Sequence, residues 1–378
     1  MKVLITGGSG FIGSNLALKL LGEGHQVTVL DSLETQIHGT DPLQNSPLFL
    51  SIKGKVDFHH GSITDAALVA QCIEGQDAIV HLAAETGTGQ SMYEIRRYVD
   101  VNIGGTALML DILANTKHSV KKIVVASSRS IYGEGRYRKA NGEIVYPGAR
   151  LDKDLRAGHF DPLDPVTGEA LQVMATDEES KIHPSSVYGI TKQNQEQMVM
   201  TVSASLGIAA SALRYQNVYG PGQSLSNPYT GILSIFSTRI LNGKPINIFE
   251  DGLESRDFVF IDDVVDATKR ALLMEEANGQ IFGIGSGVAT TVLDVAKKLI
   301  DKYGIKIDLG VTGEYRLGDI RHNYADLSKA KSLLGFVPQY DFDKGLDQFV
   351  KWVKEQEIAT DKYEQSLQEM RAKGLMRG

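Results

Sequence analysis

Cysteine is almost absent from this chain, which has one, Cys72, among 378 residues. A single thiol cannot form an intrachain disulfide, and it does not predict a cysteine-rich metal site. We expect Cys72 to be a small packing residue. The nine histidines show no H-E-x-x-H or other ligand spacing, so the sequence predicts no metal site.

Long apolar runs and an excess of positive charge are also missing. No apolar run approaches the roughly eighteen residues that a membrane span requires. A strand-like stretch follows Met1, where a secretion signal would have a charged region, an apolar region and a cleavage site. We therefore expect a cytoplasmic protein that does not contact membranes. The formal net charge of −7 argues against nucleic-acid binding, which needs a basic surface.

Short β-branched runs alternate with helical stretches over the first half of the chain. We predict strands at residues 2–6, 26–30, 56–59, 78–81, 122–126 and 208–214. Residues 13–21 have helical spacing of apolar side chains and end at Gly22-Glu23-Gly24, which completes a βαβ unit. This alternation predicts an α/β fold, a Rossmann-like doubly wound parallel sheet.

The pattern changes near Val218, where Gly-Pro-Gly loops and amphipathic stretches predict a smaller C-terminal substrate-binding lobe. We assign residues 1–217 to the sheet domain, with 256–285 returning to it, and residues 218–255 and 286–378 to the lobe. Residues 134–174, rich in Arg, Gly, Pro and Asp, look like an insertion. The polar tail from residue 360 is expected to fray.

A glycine-rich turn lies between the first strand and the first helix, with Gly7, Gly10 and Gly13 in G-x-x-G-x-x-G spacing. Glycine lets the backbone bring helix N–H groups onto a pyrophosphate. Asp31 ends the second strand, where a carboxylate binds an adenosine ribose diol and repels a 2′-phosphate. No arginine follows Asp31 closely, so the sequence predicts NAD rather than NADP, bound in the domain formed by residues 1–217.

A second group of residues predicts proton transfer. Ser128 ends the fifth strand, and Tyr188 and Lys192 are four residues apart on a predicted helix, hence on one face. An ammonium about 4 Å from a phenol can lower its pKa by roughly three units, so Tyr188 is predicted to be a general base. Tyr340 and Lys344 repeat this spacing by chance, without a serine-bearing strand before them.

These motifs together resemble the extended short-chain dehydrogenases/reductases, in particular the NAD-dependent sugar-nucleotide epimerases and dehydratases. The resemblance covers nearly the whole chain. It implies that Ser128, Tyr188 and Lys192 are catalytic, with Ser128 bound to the reacting sugar oxygen. It also implies NAD contacts from Gly7, Gly10, Phe11, Ile12, Gly13, Asp31, Ser62, Ile63, Ala83, Ala84, Asn102, Tyr188 and Lys192.

The residues after Ser128 narrow the reaction. Related dehydratases and decarboxylases carry acidic residues there, whereas this chain has Arg129 and Ser130. Cys72 is not placed to serve the branch that needs a catalytic cysteine. Transient oxidation at C4, a 4-epimerisation, remains, and a UDP-hexose 4-epimerase or a net 4-dehydrogenase or reductase are the alternatives.

Within the family, Gly89–Ile95 and Tyr132–Arg138 are similar to 4-epimerases of dTDP-6-deoxy sugars such as dTDP-L-rhamnose. The chain departs from them at Asp164-Pro165-Val166-Thr167-Gly168, where that group has a C-P-x-C-G turn.

The resemblance also implies a nucleotide-sugar substrate and a homodimer. The substrate contacts it implies are Gln90, Ser91, Arg129, Asn217, Arg256, Arg316 and Arg321. Arginines suit diphosphate oxygens because their donors are planar and paired. We expect Arg256 and at least one of Arg316 and Arg321 to contact the ligand. The dimer is expected to pair predicted helices at residues 93–114 and Val187–Leu206, and residues 134–174 to fold over the sugar end through Arg136, Tyr137 and Arg138.

Overall fold

The computed structural model describes residues 1–225, 227, 229, 231–357, 361 and 363–377. Its centre is a seven-stranded sheet in which every neighbouring pair is parallel. The strands lie in the order Gln280–Ile284, Ala209–Tyr215, Lys122–Ser128, Ala78–His81, Lys2–Thr6, Gln26–Asp31 and Asp57–His60. Chain order reverses beside Lys2–Thr6, which creates a crevice at the carboxyl ends of the strands. The predicted doubly wound sheet is confirmed.

Both faces of the sheet are covered because side chains alternate along each strand. Val3 and Ile5 pack in one apolar core with helices Phe11–Gly22 and Ile261–Leu273. Leu4 packs on the other side in a second core, which includes Cys72. That thiol is buried, and burial raises its pKa to about 11, as fits a packing residue.

The helices occupy most of the connections. They are Phe11–Gly22, Thr35–His38, Pro42–Asn45, Pro47–Ile52, Ala66–Ile73, Thr88–Ser91, Ile95–Tyr98, Gly105–Asn115, Asp152–Arg156, Val187–Leu206, Ile232–Leu241, Ile261–Leu273, Val292–Tyr303, Ser328–Leu334, Phe342–Lys354 and Tyr363–Ala372. Within the described part of the chain, none of them is long and apolar enough to cross a membrane.

The helix predicted at residues 93–114 is interrupted. It is divided into Ile95–Tyr98, a π-helical turn Val99–Gly104 and Gly105–Asn115. Adjacent glycines have low helix propensity, and a Cβ on Gly105 would lie only 2.5 Å from Ile63 Cγ2. The wide turn directs Asn102 into the interior, where it is fully buried.

The smaller lobe contains a four-stranded sheet and two short ladders. The sheet is formed by Asn217–Tyr219, Ser255–Phe260, Ala289–Thr291 and His322–Asn323, and Ile246–Ile248 pairs with Leu309–Val311. Residues 134–174 form a separate antiparallel sheet of Tyr137–Arg138, Ile144–Val145 and Gln172–Val173.

The C-terminal tail is more ordered than its polar sequence indicates. We call residues 363–377 the C-terminal segment; residues 358–360, 362 and 378 lie outside the described residues. Helix Tyr363–Ala372 buries Leu367 and Met370, and strand Met376–Arg377 pairs antiparallel with Tyr315–Arg316. The expectation of a fraying tail is wrong for these residues, because an apolar helix face and backbone pairing attach them to the lobe.

Candidate active site

A cavity of about 670 Å³ opens at the carboxyl ends of the parallel strands and continues into the smaller lobe. At the sheet end it is lined by the glycine turn, Asp31, Ser128, Tyr188 and Lys192. At the lobe end it is lined by Phe249, Arg256, Arg316 and part of the C-terminal segment. The cavity can therefore hold ligand groups in both regions at once.

The glycine turn needs its glycines for space. A Cβ on Gly7 would lie 2.8 Å from the Ala83 nitrogen, and one on Gly13 would lie 2.4 Å from the Gly7 oxygen. Gly7 also has φ of +69°, which favours glycine. Helix Phe11–Gly22 begins after Gly10 without a side-chain cap, so the N–H groups of its first turn face the cavity beside Phe11 and Ile12. This arrangement suits a pyrophosphate.

Asp31 lies beside this turn. Its carboxylate accepts hydrogen bonds from the backbone N–H groups of Ser9 at 2.9 Å and Leu33 at 2.8 Å. Burial lowers the pKa of His38, whose ring lies 3.8 Å from the carboxylate and adds no fixed positive charge there. The negative carboxylate at the cavity wall suits a ribose diol and disfavours a phosphate.

Other predicted contacts lie at different depths. Ser62, Ile63, Ala83 and Ala84 line the cavity. Asn102 does not: its side chain accepts from the Glu85 N–H at 2.7 Å and donates to the Glu85 oxygen at 3.1 Å. We expected Asn102 to contact the cofactor, but the structure places it behind the wall, where it fixes the loop that carries Ala83 and Ala84.

Gln90 and Ser91 are also set back from the cavity. Gln90 is bound to Gln36, Glu94 and Tyr98. Ser91 Oγ accepts the backbone N–H of Tyr188 at 3.0 Å. Neither residue lines the cavity and their polar atoms are engaged by protein groups, so direct substrate contact from Gln90 and Ser91 stays a prediction that this geometry does not support.

Ser128 has one proton available for donation. Its oxygen accepts the backbone N–H of Ser130 at 3.2 Å and the Ser130 hydroxyl at 2.9 Å. The strand extends two residues further than predicted, since Ser127 and Ser128 pair with Arg214 and Tyr215. The rigid sheet therefore sets the position of the Ser128 hydroxyl.

Tyr188 begins helix Val187–Leu206, which Ser186 caps by accepting the Gly189 N–H at 3.1 Å. Burial raises the pKa of Tyr188, while the hydrogen bond from Ser128 and the charge of Arg129 act to lower it. The sequence predicts that Lys192 supplies a charge of this kind. Arg129 is a cation near Tyr188 to which the sequence analysis gave no such role.

Lys192 is held differently from the prediction. Its Nζ donates to Gln195 Oε1 at 2.7 Å, and burial lowers its pKa to about 7. Gln195 Nε2 donates to Thr106 Oγ1 at 2.9 Å and lies 3.2 Å from His81 Nε2. Sequence reasoning missed Gln195, although its position three residues after Lys192 on one helix face was a usable signal.

Arg129 lines the cavity next to Asn217. Burial lowers the pKa of Arg129 to about 9, and Arg256 nearby acts in the same direction. Its Nε donates to Asn217 Oδ1 at 2.7 Å. Two predicted substrate residues are thus joined at the cavity wall.

The three lobe arginines divide into two groups. Arg256 and Arg316 line the cavity and both bind Asp319, at 3.2 Å and 2.8 Å. Arg321 is 1% exposed and faces away, bound to Asp161, Glu250 and Asp251. Arg321 itself does not line the cavity, because Asp161, Glu250 and Asp251 hold its guanidinium, and this geometry gives no support to the expected substrate contact.

Residues 134–174 do not cover the sugar end, since none of them lines the cavity. Arg136 pairs with Asp177, Tyr137 donates to Glu134, and Arg138 donates to Gln172. The segment packs instead behind the wall, where Arg150 donates to the Asp319 oxygen at 2.9 Å. These three side chains make contacts within the segment and with its neighbours, and this geometry gives no support to the expected sugar contacts.

The turn at Asp164 is closed without metal ligands. Its carboxylate accepts the Val166 N–H at 2.8 Å. Across the described residues there is no cluster of three or more His, Cys, Asp or Glu side chains suited to a metal ion.

Comparison with known proteins agrees with this geometry. The model of the NAD dependent epimerase/dehydratase family matches residues 3–148 and 164–285, and the unmatched stretch between them falls inside residues 134–174. A dTDP-L-rhamnose 4-epimerase of Burkholderia thailandensis is 39% identical over 94% of this chain and 95% of its own. A putative UDP-glucose 4-epimerase of Methanocaldococcus jannaschii is 30% identical over 93% and 98%.

A solved structure is similar as well. UDP-glucose 4-epimerase from Thermotoga maritima, in complex with UDP-glucose, superposes with a TM-score of 0.76 at 29% identity, over 94% of this chain and 99% of that one.

Proposed function

Because this chain belongs to the NAD dependent epimerase/dehydratase family and is an NAD-dependent enzyme, we propose that it is a sugar-nucleotide 4-epimerase acting on a dTDP-6-deoxy sugar such as dTDP-L-rhamnose. The observation that carries the proposal is the group at the end of strand Lys122–Ser128. There a serine donor, a tyrosine base and an arginine cation adjoin a glycine turn and Asp31 in one cavity.

The chain's own residues would divide the work as follows. Ser128 and Tyr188 both bind the C4 oxygen of the sugar, and Tyr188 accepts its proton as the C4–H bond breaks. NAD supplies the chemistry of accepting that hydride and returning it to the opposite face of the sugar. Tyr188 then gives the proton back, so neither protons nor electrons are consumed.

The two residues that follow Ser128 are not acidic. Arg129 and Ser130 stand where related dehydratases have carboxylates, and the charge of Arg129 acts to lower the pKa of Tyr188. This favours simple redox at C4 over elimination. The B. thailandensis relative, a dTDP-L-rhamnose 4-epimerase, supports the choice of substrate.

We also propose which parts of the chain bind NAD and which bind the sugar nucleotide. Residues 1–217 and 256–285 would hold NAD, through the glycine turn, Asp31 and Lys192. Residues 218–255 and 286–378 would hold the sugar nucleotide, with Arg316 on its diphosphate together with Arg256 from the adjoining strand Ser255–Phe260.

A homodimer is proposed through the two helical regions expected from the sequence. Ile95 and Val99 are 51% and 37% exposed, and Ile190 on helix Val187–Leu206 is 45% exposed. Together they form an apolar surface that a second copy of the chain would cover. Sedimentation analysis should give a dimer for the wild type and a monomer for Ile95→Glu; a monomeric wild type would refute this.

The deciding experiment is incubation of the purified protein with dTDP-, UDP- and GDP-sugars, with products read by NMR. We expect dTDP-L-rhamnose to be converted to its C4 epimer without net formation of NADH. Net NADH and a stable 4-keto product would identify a dehydrogenase. Turnover of UDP-hexoses alone would identify the alternative epimerase.

A further inference from the structure

The C-terminal segment forms part of the cavity wall. Tyr363, Ser366, Met370 and Leu375 all line the cavity, although no sequence motif marks them. Met370 is 6% exposed and packs in a small apolar cluster with Leu367 and Met376. Met370 therefore contributes an apolar, well-packed side chain to the cavity wall.

Met370 packs against the short helix that contacts Tyr188. Its sulfur would be 3.4 Å from a Cβ built on Gly89, so it packs against that glycine. Gly89 belongs to helix Thr88–Ser91, and Ser91 Oγ accepts the Tyr188 N–H at 3.0 Å. The same short helix thus contacts both Met370 and the backbone of the proposed base.

Two sets of contacts fix the segment on either side of Met370. Before it, Glu369 Oε2 accepts from the Tyr229 hydroxyl at 2.5 Å and lies 3.4 Å from the Tyr93 hydroxyl. After it, the Leu375 oxygen accepts the Leu317 N–H at 3.0 Å. Since Tyr229 and Leu317 also line the cavity, these contacts join the segment to other parts of the cavity wall.

We propose that Met370 is a specificity-determining residue that packs against the C5 substituent of the sugar and selects a methyl group over a hydroxymethyl group. The inference rests on the proposed function. A hydroxyl placed against the Met370 side chain would lose water without gaining a hydrogen-bond partner. Pockets of this kind discriminate by about 10²-fold.

The test uses the full-length enzyme loaded with NAD and two dTDP-sugars with the same ring configuration, one 6-deoxy and one 6-hydroxy. Wild type should prefer the 6-deoxy sugar in kcat/KM. Met370→Gln should lower this preference about tenfold, chiefly through KM. Met370→Leu, which keeps an apolar side chain, and Gln368→Ala, on the exposed side of the same helix, should both retain it.

The outcomes separate the two proposals. An unchanged preference in Met370→Gln, with NAD still bound and wild-type kcat, refutes the role of Met370 alone. A change in the ratio of dTDP- to UDP-sugar instead would place Met370 at the nucleobase and also overturn the inference. Turnover of no sugar nucleotide by the wild type refutes the proposed function and this inference with it.

Discussion

Arg129 Nε donates a 2.7 Å hydrogen bond to Asn217 Oδ1, and this bond joins two segments that follow neighbouring strands of the main sheet. It holds a buried cation where its charge acts on the Tyr188 hydroxyl. Burial raises the pKa of Tyr188, and Arg129 opposes that effect, so Arg129 is a positioning and electrostatic partner of the base.

Removing this cation should shift the pH dependence of catalysis. Without Arg129 the pKa of Tyr188 rises further, so less phenolate is present at neutral pH. We expect Arg129→Gln to lower kcat at least about tenfold at pH 7 and to move the alkaline end of its rate profile to higher pH, since one pKa unit is tenfold in ionisation. Rate profiles from neutral pH to the most alkaline pH at which the protein stays folded test this. Arg129→Lys should lie between; a profile that levels off at the same pH in wild type and Arg129→Gln would contradict the electrostatic role.

Tyr188→Phe should abolish turnover while leaving NAD bound. It removes the proton acceptor but keeps the ring that packs edge-on against Tyr98. Loss of about 10²-fold or more in kcat is the usual scale for a missing general base. Cofactor content after purification provides the control, and near wild-type turnover would sink the mechanism.

The enzyme should prefer NAD strongly over NADP because the Asp31 carboxylate lies at the cavity wall. Asp31→Asn should weaken NAD binding and narrow the gap to NADP. Calorimetry on cofactor-free protein measures both affinities. Equal affinity of the wild type for the two cofactors would refute the assignment of Asp31.

Residues 134–174 should act on the substrate only indirectly. Arg150 is 5% exposed and binds both Glu250 and the Asp319 oxygen. Arg150→Met removes the cation that pairs with Glu134 and one of the two cations that pair with Glu250, so we expect a loss of about 3 kcal/mol or more in the free energy of unfolding. KM should rise because Asp319 orients Arg256 and Arg316. Arg138→Ala, on the exposed edge, is the matched control; unchanged stability of Arg150→Met would contradict the bracing role.

His81 should make the fold sensitive to acid. Burial lowers its pKa from 6.5 to about 3, with the Lys192 charge acting in the same direction. The unfolded chain therefore binds a proton that the folded chain does not, and stability is lost as pH falls from 6.5 towards 3. The slope should approach about 1.4 kcal/mol per pH unit.

Denaturant titrations at several pH values measure this slope. His81→Asn, which can still bond Thr6, should flatten it, whereas His159→Gln on the surface should not. A slope that His81→Asn leaves intact would assign the acid sensitivity to other groups.

Local patterns predicted the parts of the molecule that local physics controls. The strands were placed within two residues because most of them are short runs rich in β-branched residues, and the glycine turn followed from the need for space beside the helix terminus. Helix Val187–Leu206 was predicted at its observed bounds from the family resemblance, and the structure shows a serine cap and a glycine at its ends.

Long-range contacts account for what the sequence did not predict. Arg321 lies in a motif typical of ligand contact, yet Asp161 and Asp251, 160 and 70 residues away, turn it outward. The C-terminal segment has a polar sequence. Its pairing with Tyr315–Arg316, which attaches it to the lobe, is a long-range contact. Neither partner can be identified from spacing along the chain.

The pairing of Met376–Arg377 with Tyr315–Arg316 has a practical consequence for making the protein. Strand Lys2–Thr6 begins at the amino ends of the parallel strands, and the cavity lies at their carboxyl ends. Met376–Arg377 instead pairs with strand Tyr315–Arg316, and Arg316 lines the cavity. An affinity tag fused to the carboxyl end would be tethered close to the cavity wall. An amino-terminal tag keeps foreign sequence away from the chemistry.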